Sequence, residues 1–173
     1  PLRSKERELR CKSPPKGKGI AEYADHEENA MAKHVSKPAV SIYQCKVTLT
    51  GSKPEIWRRF HVPVEYSLQK FHQVLQAVMG WEECHLYEFK IDGASYGEPH
   101  PDYGGSMTDA RSMKLNKLLE AGKTSFRYIY DFGDGWQHMI VLEKEVPSEP
   151  DVRYPVCVEG AMACPPEDCG GFP

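Results

Sequence analysis

Phe126-Arg127-Tyr128-Ile129-Tyr130-Asp131-Phe132-Gly133-Asp134-Gly135-Trp136-Gln137-His138-Met139-Ile140-Val141-Leu142 is the stretch that decides the fold. Large apolar residues recur at every second position on both sides of the Gly-Asp-Gly break, the mark of two half-buried strands joined by a tight turn. Two registers are open. A two-residue Asp134-Gly135 turn pairs Asp131 with His138. A three-residue loop, Gly133 to Gly135, pairs Phe132 with Trp136, Tyr130 with His138, Tyr128 with Ile140 and Phe126 with Leu142. A slip by one residue turns every side chain to the opposite face, and the second register alone gathers the large apolar partners. The three-residue loop is therefore expected, with His138 packed among aromatics and Asp131 pointing away from it.

Working outward, Tyr43, Cys45, Val47 and Leu49 alternate with polar residues, and Gly51 to Pro54 punctuates the end of a strand. Ile56 to Val62 resumes the pattern, with Ile56, Arg58 and Phe60 on one face and Trp57, Arg59 and His61 on the other. These two strands are expected to pair antiparallel. After Ser67, a suitable N-cap, Leu68, Phe71, Leu75, Val78 and Met79 fall at helical spacing, and Gly80 stands where a terminating glycine belongs. His72, at the edge of that stripe, reads as a buried or snorkelled histidine. Leu86 to Ile91 reads as a strand, Asp92-Gly93 as a turn, Ala94 to Gly97 as a short strand and Gly97 to Met107 as a loop. A short helix follows, with Asn116 as its cap, Leu118 and Leu119 inward and Gly122 at its end. The order predicts an α+β fold, a mostly antiparallel sheet with one main and one short helix packed on one face. The body is expected to run from Ser41 to about Val146. No glycine-rich phosphate loop follows a strand, so a doubly wound nucleotide-binding fold is disfavoured.

The 173-residue chain is 40% hydrophobic and 27% charged, which places it among ordinary globular proteins. Its net charge of −3 conceals a division, because residues 1–19 hold seven basic and two acidic side chains while residues 41–173 hold 13 and 19. Residues 1–40 read as a disordered basic and polar leader and residues 41–173 as the domain. An acidic body repels phosphates, so nucleic acid is expected to engage only the leader, from Arg3 to Lys18. No window approaches the roughly 18 to 20 apolar residues that a membrane helix needs, and no signal-peptide core follows the N-terminus. A cytoplasmic protein without membrane association is the expectation. Six cysteines in such a chain read as thiols or metal ligands and not as a disulfide framework.

Four stretches go beyond generic pattern: Pro54 to Phe60 with Val62-Pro63, Met79-Gly80-Trp81 followed by His85-Leu86, Tyr130 to His138, and Cys164-Pro165-Pro166-Glu167-Asp168-Cys169-Gly170-Gly171. Together, from about Tyr43 to Gly171, they closely resemble the plasmid pRiA4b ORF-3-like family. The resemblance implies an α+β domain, in some members a passenger of mobile elements, and it brings no catalytic or binding residues. Relatives usually continue past Cys-Gly-Gly with a glycine- and tyrosine-containing segment and a closing helix, so a domain truncated at its C-terminus is expected.

The hairpin tip and the Cys loop are expected to share one functional surface, with Asp131, Asp134, Trp136, His138, Glu167 and Asp168 as its candidates. The carboxylates could hold a hard cation or act as acid and base; their simpler use is to accept backbone N–H bonds in turns. Cys157, Cys164 and Cys169, with His85 as fourth ligand, form a candidate zinc set. The same thiols could instead stabilise buried turns, or Cys164 and Cys169 could form a redox pair. Trp57, Arg58 and Arg59 suggest an aromatic-basic patch, but strand alternation sets Arg58 apart from the other two. The first functional reading is a non-enzymatic binding or accessory domain; the alternative is a metal-dependent enzyme acting on nucleic acid or a small polar substrate.

Overall fold

Alternation along the first strand sets the inner face of the sheet. In β1 (Ile42–Leu49) Cys45, Val47 and Leu49 are buried while Lys46 and Thr48 are not, and a bulge between Gln44 and Cys45 lets Ile42 point inward as well. The computed structural model describes residues 40–99 and 107–172; the expected leader, up to residue 39, falls outside them. The remaining elements are β2 (Ile56–Pro63), α1 (Leu68–Met79), β3 (Tyr87–Ile91), β4 (Ala94–Gly97), β5 (Thr108–Asp109), a 3-10 turn (Ala110–Ser112), α2 (Leu115–Glu120), β6 (Ser125–Tyr130), β7 (Trp136–Val146) and β8 (Val156–Ala161).

Among the described residues the strands form one eight-stranded sheet, ordered β5-β4-β3-β6-β7-β1-β2-β8. Every pairing is antiparallel except β4 with β5. The fold is α+β and mostly sheet. β1 and β2 pair antiparallel as the alternation predicts. The body does not stop at Val146: β8 adds an edge strand beside β2. Its apolar run, Val156 to Val158, is too short to stand out by alternation.

The central hairpin corrects the expected register. Tyr130 pairs with Trp136, Tyr128 with His138 and Phe126 with Ile140, so the loop spans Asp131 to Gly135 and the pairing is displaced by two residues. A two-residue slip preserves which face each side chain occupies, so the aromatic layer survives. The longer loop closes on itself: the Gly135 N–H donates to the Asp131 carbonyl at 2.6 Å and the Gly133 N–H to Asp131 Oδ1 at 2.9 Å. Asp131 and Gly135 both adopt positive φ, 53° and 68°.

In α1 the Ser67 side chain accepts the Lys70 N–H, and Gly80 ends the helix at φ 84°. Its buried face is Leu68, Phe71, His72, Val74, Leu75, Gln76 and Met79; Val78 is only half-buried. Phe71 meets Phe60, Phe89 and Phe126 with ring centres 5.8 to 6.3 Å apart, joining α1 to three strands. In α2 the cap position is Lys114 and not Asn116, whose side chain donates to Glu65 instead. Leu115 and Leu118 are the buried pair, with Leu119 partly buried.

Candidate functional site

Three segments distant in sequence meet at one end of the sheet: the loop after α1 (81–86), the hairpin loop (131–135) and the loop after β8 (162–172). Aromatic contacts tie the three together. Trp81 stacks on Tyr130 with centres 5.2 Å apart and lies 5.8 Å from Trp136; Phe172 meets the edge of Trp136 at 5.2 Å. The Trp81 indole N–H donates to the Pro165 carbonyl at 2.9 Å, tying the first segment to the third.

Tyr130 organises the junction. Its hydroxyl accepts the backbone N–H of Cys84 at 3.0 Å and of His85 at 3.3 Å, and donates to Glu167 Oε1. Burial, and then that bond to Glu167, raise the phenol well above its ordinary value, so it remains a donor. The second oxygen of Glu167 accepts the Glu82 N–H at 2.8 Å. Asp134 Oδ2 accepts the Gly170 N–H at 3.0 Å, and a side chain at Gly171 would collide with the Asp134 carbonyl. Glu167 and Asp134 thus fasten the last loop to the other two, in keeping with turn-stabilising carboxylates.

Asp131, His85 and Asp168 are arranged differently. Asp131 is 7% exposed; its Oδ1 is held by the Gly133 N–H, and its Oδ2 faces His85 Nε2 at 3.7 Å. Asp168 Oδ1 approaches the same nitrogen at 3.0 Å. One donor atom from each of the three residues lies within 4.8 Å of the other two. The Asp168 contact is close enough for an ion pair yet is not aligned as an N–H···O bond, and His85 Nε2, although buried, has no hydrogen-bond partner. Asp168, like Asp131, sits at positive φ, 57°.

The cysteine set expected with His85, namely Cys157, Cys164 and Cys169, is not among the groups whose donor atoms converge in the described residues. Among the described residues, the side chains whose donor atoms converge are His85, Asp131 and Asp168. The Cys157 thiol, on β8, lies against the Arg59 and Glu159 carbonyls. Cys164 packs 3.8 Å from Met79 Sδ and 3.5 Å from an Arg58 nitrogen, and burial raises its thiol. Cys169 is exposed. Cys84, exposed beside His85, has its thiol raised by desolvation and then by Glu167, Glu82 and Asp168, the opposite of an activated cysteine.

His138 and Trp136 lie buried beneath the junction as its floor. His138 is fully buried, edge-on to Trp81 at 5.3 Å and tilted against Tyr128 at 5.3 Å. Burial pushes its imidazole down to about 4; the backbone of Tyr128 and Trp136 offsets part of this without an aligned bond to either ring nitrogen. His72 is pushed down to about 3 by burial, with Tyr128 Oη 2.7 Å from its Nδ1.

Arg58 is a brace that composition alone suggested as part of a surface patch. It points inward, donating to the Val78 carbonyl at the end of α1 (3.1 Å) and to the Ala161 carbonyl at the end of β8 (2.9 Å). Trp57 and Arg59 lie on the other face. There Arg59 is paired with Glu143 and Glu159 and stands 5.2 Å over the Trp57 ring. Tyr130 and Trp81 were missed as site residues because inward aromatic alternation announces only core. Nothing in spacing says which buried hydroxyl also holds a loop.

Comparison with known proteins agrees with this architecture. The sequence profile of the family described as plasmid pRiA4b ORF-3-like protein matches residues 41–173. An uncharacterised protein of Sinorhizobium fredii, y4hQ, is 42% identical over 132 residues, covering 76% of this chain and 68% of that protein. The crystal structure of MM3350, a protein of unknown function from Methanosarcina mazei Go1, superposes with a TM-score of 0.71 at 37% identity, covering 77% of this chain and 76% of that one. With the braced hairpin and the Cys-Gly-Gly loop inside the matched span, the chain belongs to the plasmid pRiA4b ORF-3-like family.

Proposed function

We propose that the protein is an intracellular binding or accessory domain whose working surface is this braced end of the sheet, and that the surface takes a ligand carrying positive charge. One observation carries the reading. Residues 81–86, 131–135 and 162–172 contain Glu82, Glu83, Asp131, Asp134, Glu167 and Asp168 and no Lys or Arg. Among the described residues none of these carboxylates is ion-paired to a Lys or Arg. Gathering like charges costs free energy, and here backbone N–H groups and a tyrosine hydroxyl relieve only part of it. A cationic ligand would relieve the rest. Nucleic acid would be left to the basic leader, Arg3 to Lys18, and the family's plasmid name is the support for an association with mobile elements.

The alternative, a metal-dependent enzyme acting on nucleic acid or a small polar substrate, draws support from the His85–Asp131–Asp168 convergence. Against it, Asp134 and Glu167 are engaged as loop fasteners.

Titration of the protein with a short Lys/Arg-rich peptide, followed by amide NMR, tests the binding reading. Shifts confined to residues 82–85, 131–135 and 167–171, weakened by salt and by Glu82→Gln with Asp168→Asn, are expected. Shifts confined to the sheet face around Trp57 and Arg127, or none, would reject it.

A further inference from the structure

We infer that His85 Nε2, Asp131 Oδ2 and Asp168 Oδ1 are a binding site for one first-row divalent metal ion of the zinc class. The inference deepens the reading of an acidic, cation-seeking surface and rests on that surface being the working one.

Spacing is the first support. Donors about 2.1 Å from a shared ion stand about 3.0 Å apart at right angles and about 3.4 Å apart in a tetrahedron. The imidazole nitrogen is 3.0 Å from one carboxylate oxygen and 3.7 Å from the other. The gap between the two carboxylates is at most 4.8 Å. Asp168, whose side chain is 74% exposed, is free to swing and shorten it.

Unspent donor capacity is the second. The Asp131 side chain is only 9% exposed, which is costly for a carboxylate, and one of its oxygens is satisfied by the Gly133 N–H while the other faces His85 without a hydrogen bond. His85 Nε2 is likewise buried and unbonded. A buried, unbonded imidazole nitrogen and the oxygen of a largely buried carboxylate, from residues 46 apart in the chain and facing each other at 3.7 Å without a hydrogen bond, mark a gap that a cation would fill.

The outer partners are those that metal ligands use. Gly133 orients the Asp131 carboxylate. The Tyr130 hydroxyl holds the His85 backbone and, through Glu167, the residue next to Asp168. One imidazole with two carboxylates suits a borderline ion such as Zn(II), with Mn(II) bound more weakly by the ordinary affinity order. Three protein donors leave positions open, so a ligand atom from a partner can complete the sphere. No thiolate takes part.

Calorimetric titration of the whole protein with Zn(II), and optical titration with Co(II), test this. The expected result is one ion per chain, a cobalt spectrum without a sulfur charge-transfer band, and affinity lowered at least about tenfold by His85→Gln and by Asp168→Asn. Cys164→Ser and Cys169→Ser should bind as wild type does. Asp168→Asn alters an exposed side chain, so its effect separates ligation from folding. Binding abolished by the cysteine variants but not by Asp168→Asn, or no saturable binding, would overturn the inference. If the basic peptide still binds at the same surface while neither metal does, the surface reading stands and the metal site falls. If neither peptide nor metal binds, both fall.

Discussion

Two charged regions of this molecule are built on opposite plans. On the sheet face around Trp57, charges cancel: Arg59 bonds Glu143 at 2.8 Å as well as Glu159, Gln44 adds a bond to Glu143 at 2.7 Å, and Lys46 stands 4.9 Å over the Trp57 ring. At the hairpin end, among the described residues, carboxylates from two loops converge without a Lys or Arg partner on the imidazole nitrogen of a third loop, which makes no aligned bond. A matched cluster is complete in itself and serves the sheet. An unmatched cluster, held together by buried anchors, carries a repulsive cost that the proposed cationic ligand would offset.

The largest effect should strike both regions equally. Leu75→Ala empties a fully buried position in α1 beneath the sheet and should cost about 2 to 5 kcal/mol in denaturant unfolding. A midpoint indistinguishable from wild type would contradict the described core.

Tyr130→Phe should separate the regions. It leaves Glu167 and the Cys84 and His85 N–H groups short of a partner, which should cost about 1 to 3 kcal/mol. Hydrogen exchange should rise in residues 82–85 and 165–170 and stay unchanged around Arg59. Uniform loosening of both regions would break the comparison.

Acid should act through the floor of the hairpin end. His138 and His72 are held at about 4 and about 3 by burial, below their ordinary 6.5. Between pH 6.5 and about 4 the unfolded chain therefore binds protons that the folded chain does not. Stability is full above pH 6.5 and falls with pH by at most about 1.4 kcal/mol per unit for each histidine. His138→Phe should remove about half of that slope in urea unfolding measured at several pH values. An unchanged slope would mean that His138 titrates normally.

The smallest effect belongs to the matched region. Glu143→Gln removes a carboxylate that Arg59 holds below its ordinary range. With both groups partly exposed, the cost should be no more than about 1 kcal/mol. That contribution is present above the ordinary carboxylate value and is lost as pH falls through the lowered one. A cost of several kcal/mol would show the matched cluster to be as demanding as the unmatched one.

Much of the sheet was legible in the sequence, because alternation in Tyr43 to Leu49 and Phe126 to Leu142 reports burial directly. The hairpin register was legible only to parity: Asp131 and Gly135, both left-handed, close a five-residue loop that Gly-Asp-Gly does not announce. The meeting of hairpin tip and Cys loop was legible in the sequence, with Asp131 and Asp168 among the residues expected there, whereas His85 stood out only as a companion of the cysteines. The convergence of His85, Asp131 and Asp168 was not legible, since it depends on the Tyr130 hydroxyl and the Trp81 indole reaching across from core positions. Three cysteines within thirteen residues drew attention for their chemistry, yet strand β8 and the packing of Cys164 against Met79 disperse them.

The most direct measurement is anomalous diffraction from crystals of the protein grown with Zn(II) or Co(II). A single peak about 2.0 to 2.2 Å from His85 Nε2 and from one oxygen each of Asp131 and Asp168 is the predicted result. A peak held by the late cysteines, or crystals with no peak at this end of the sheet, would contradict it.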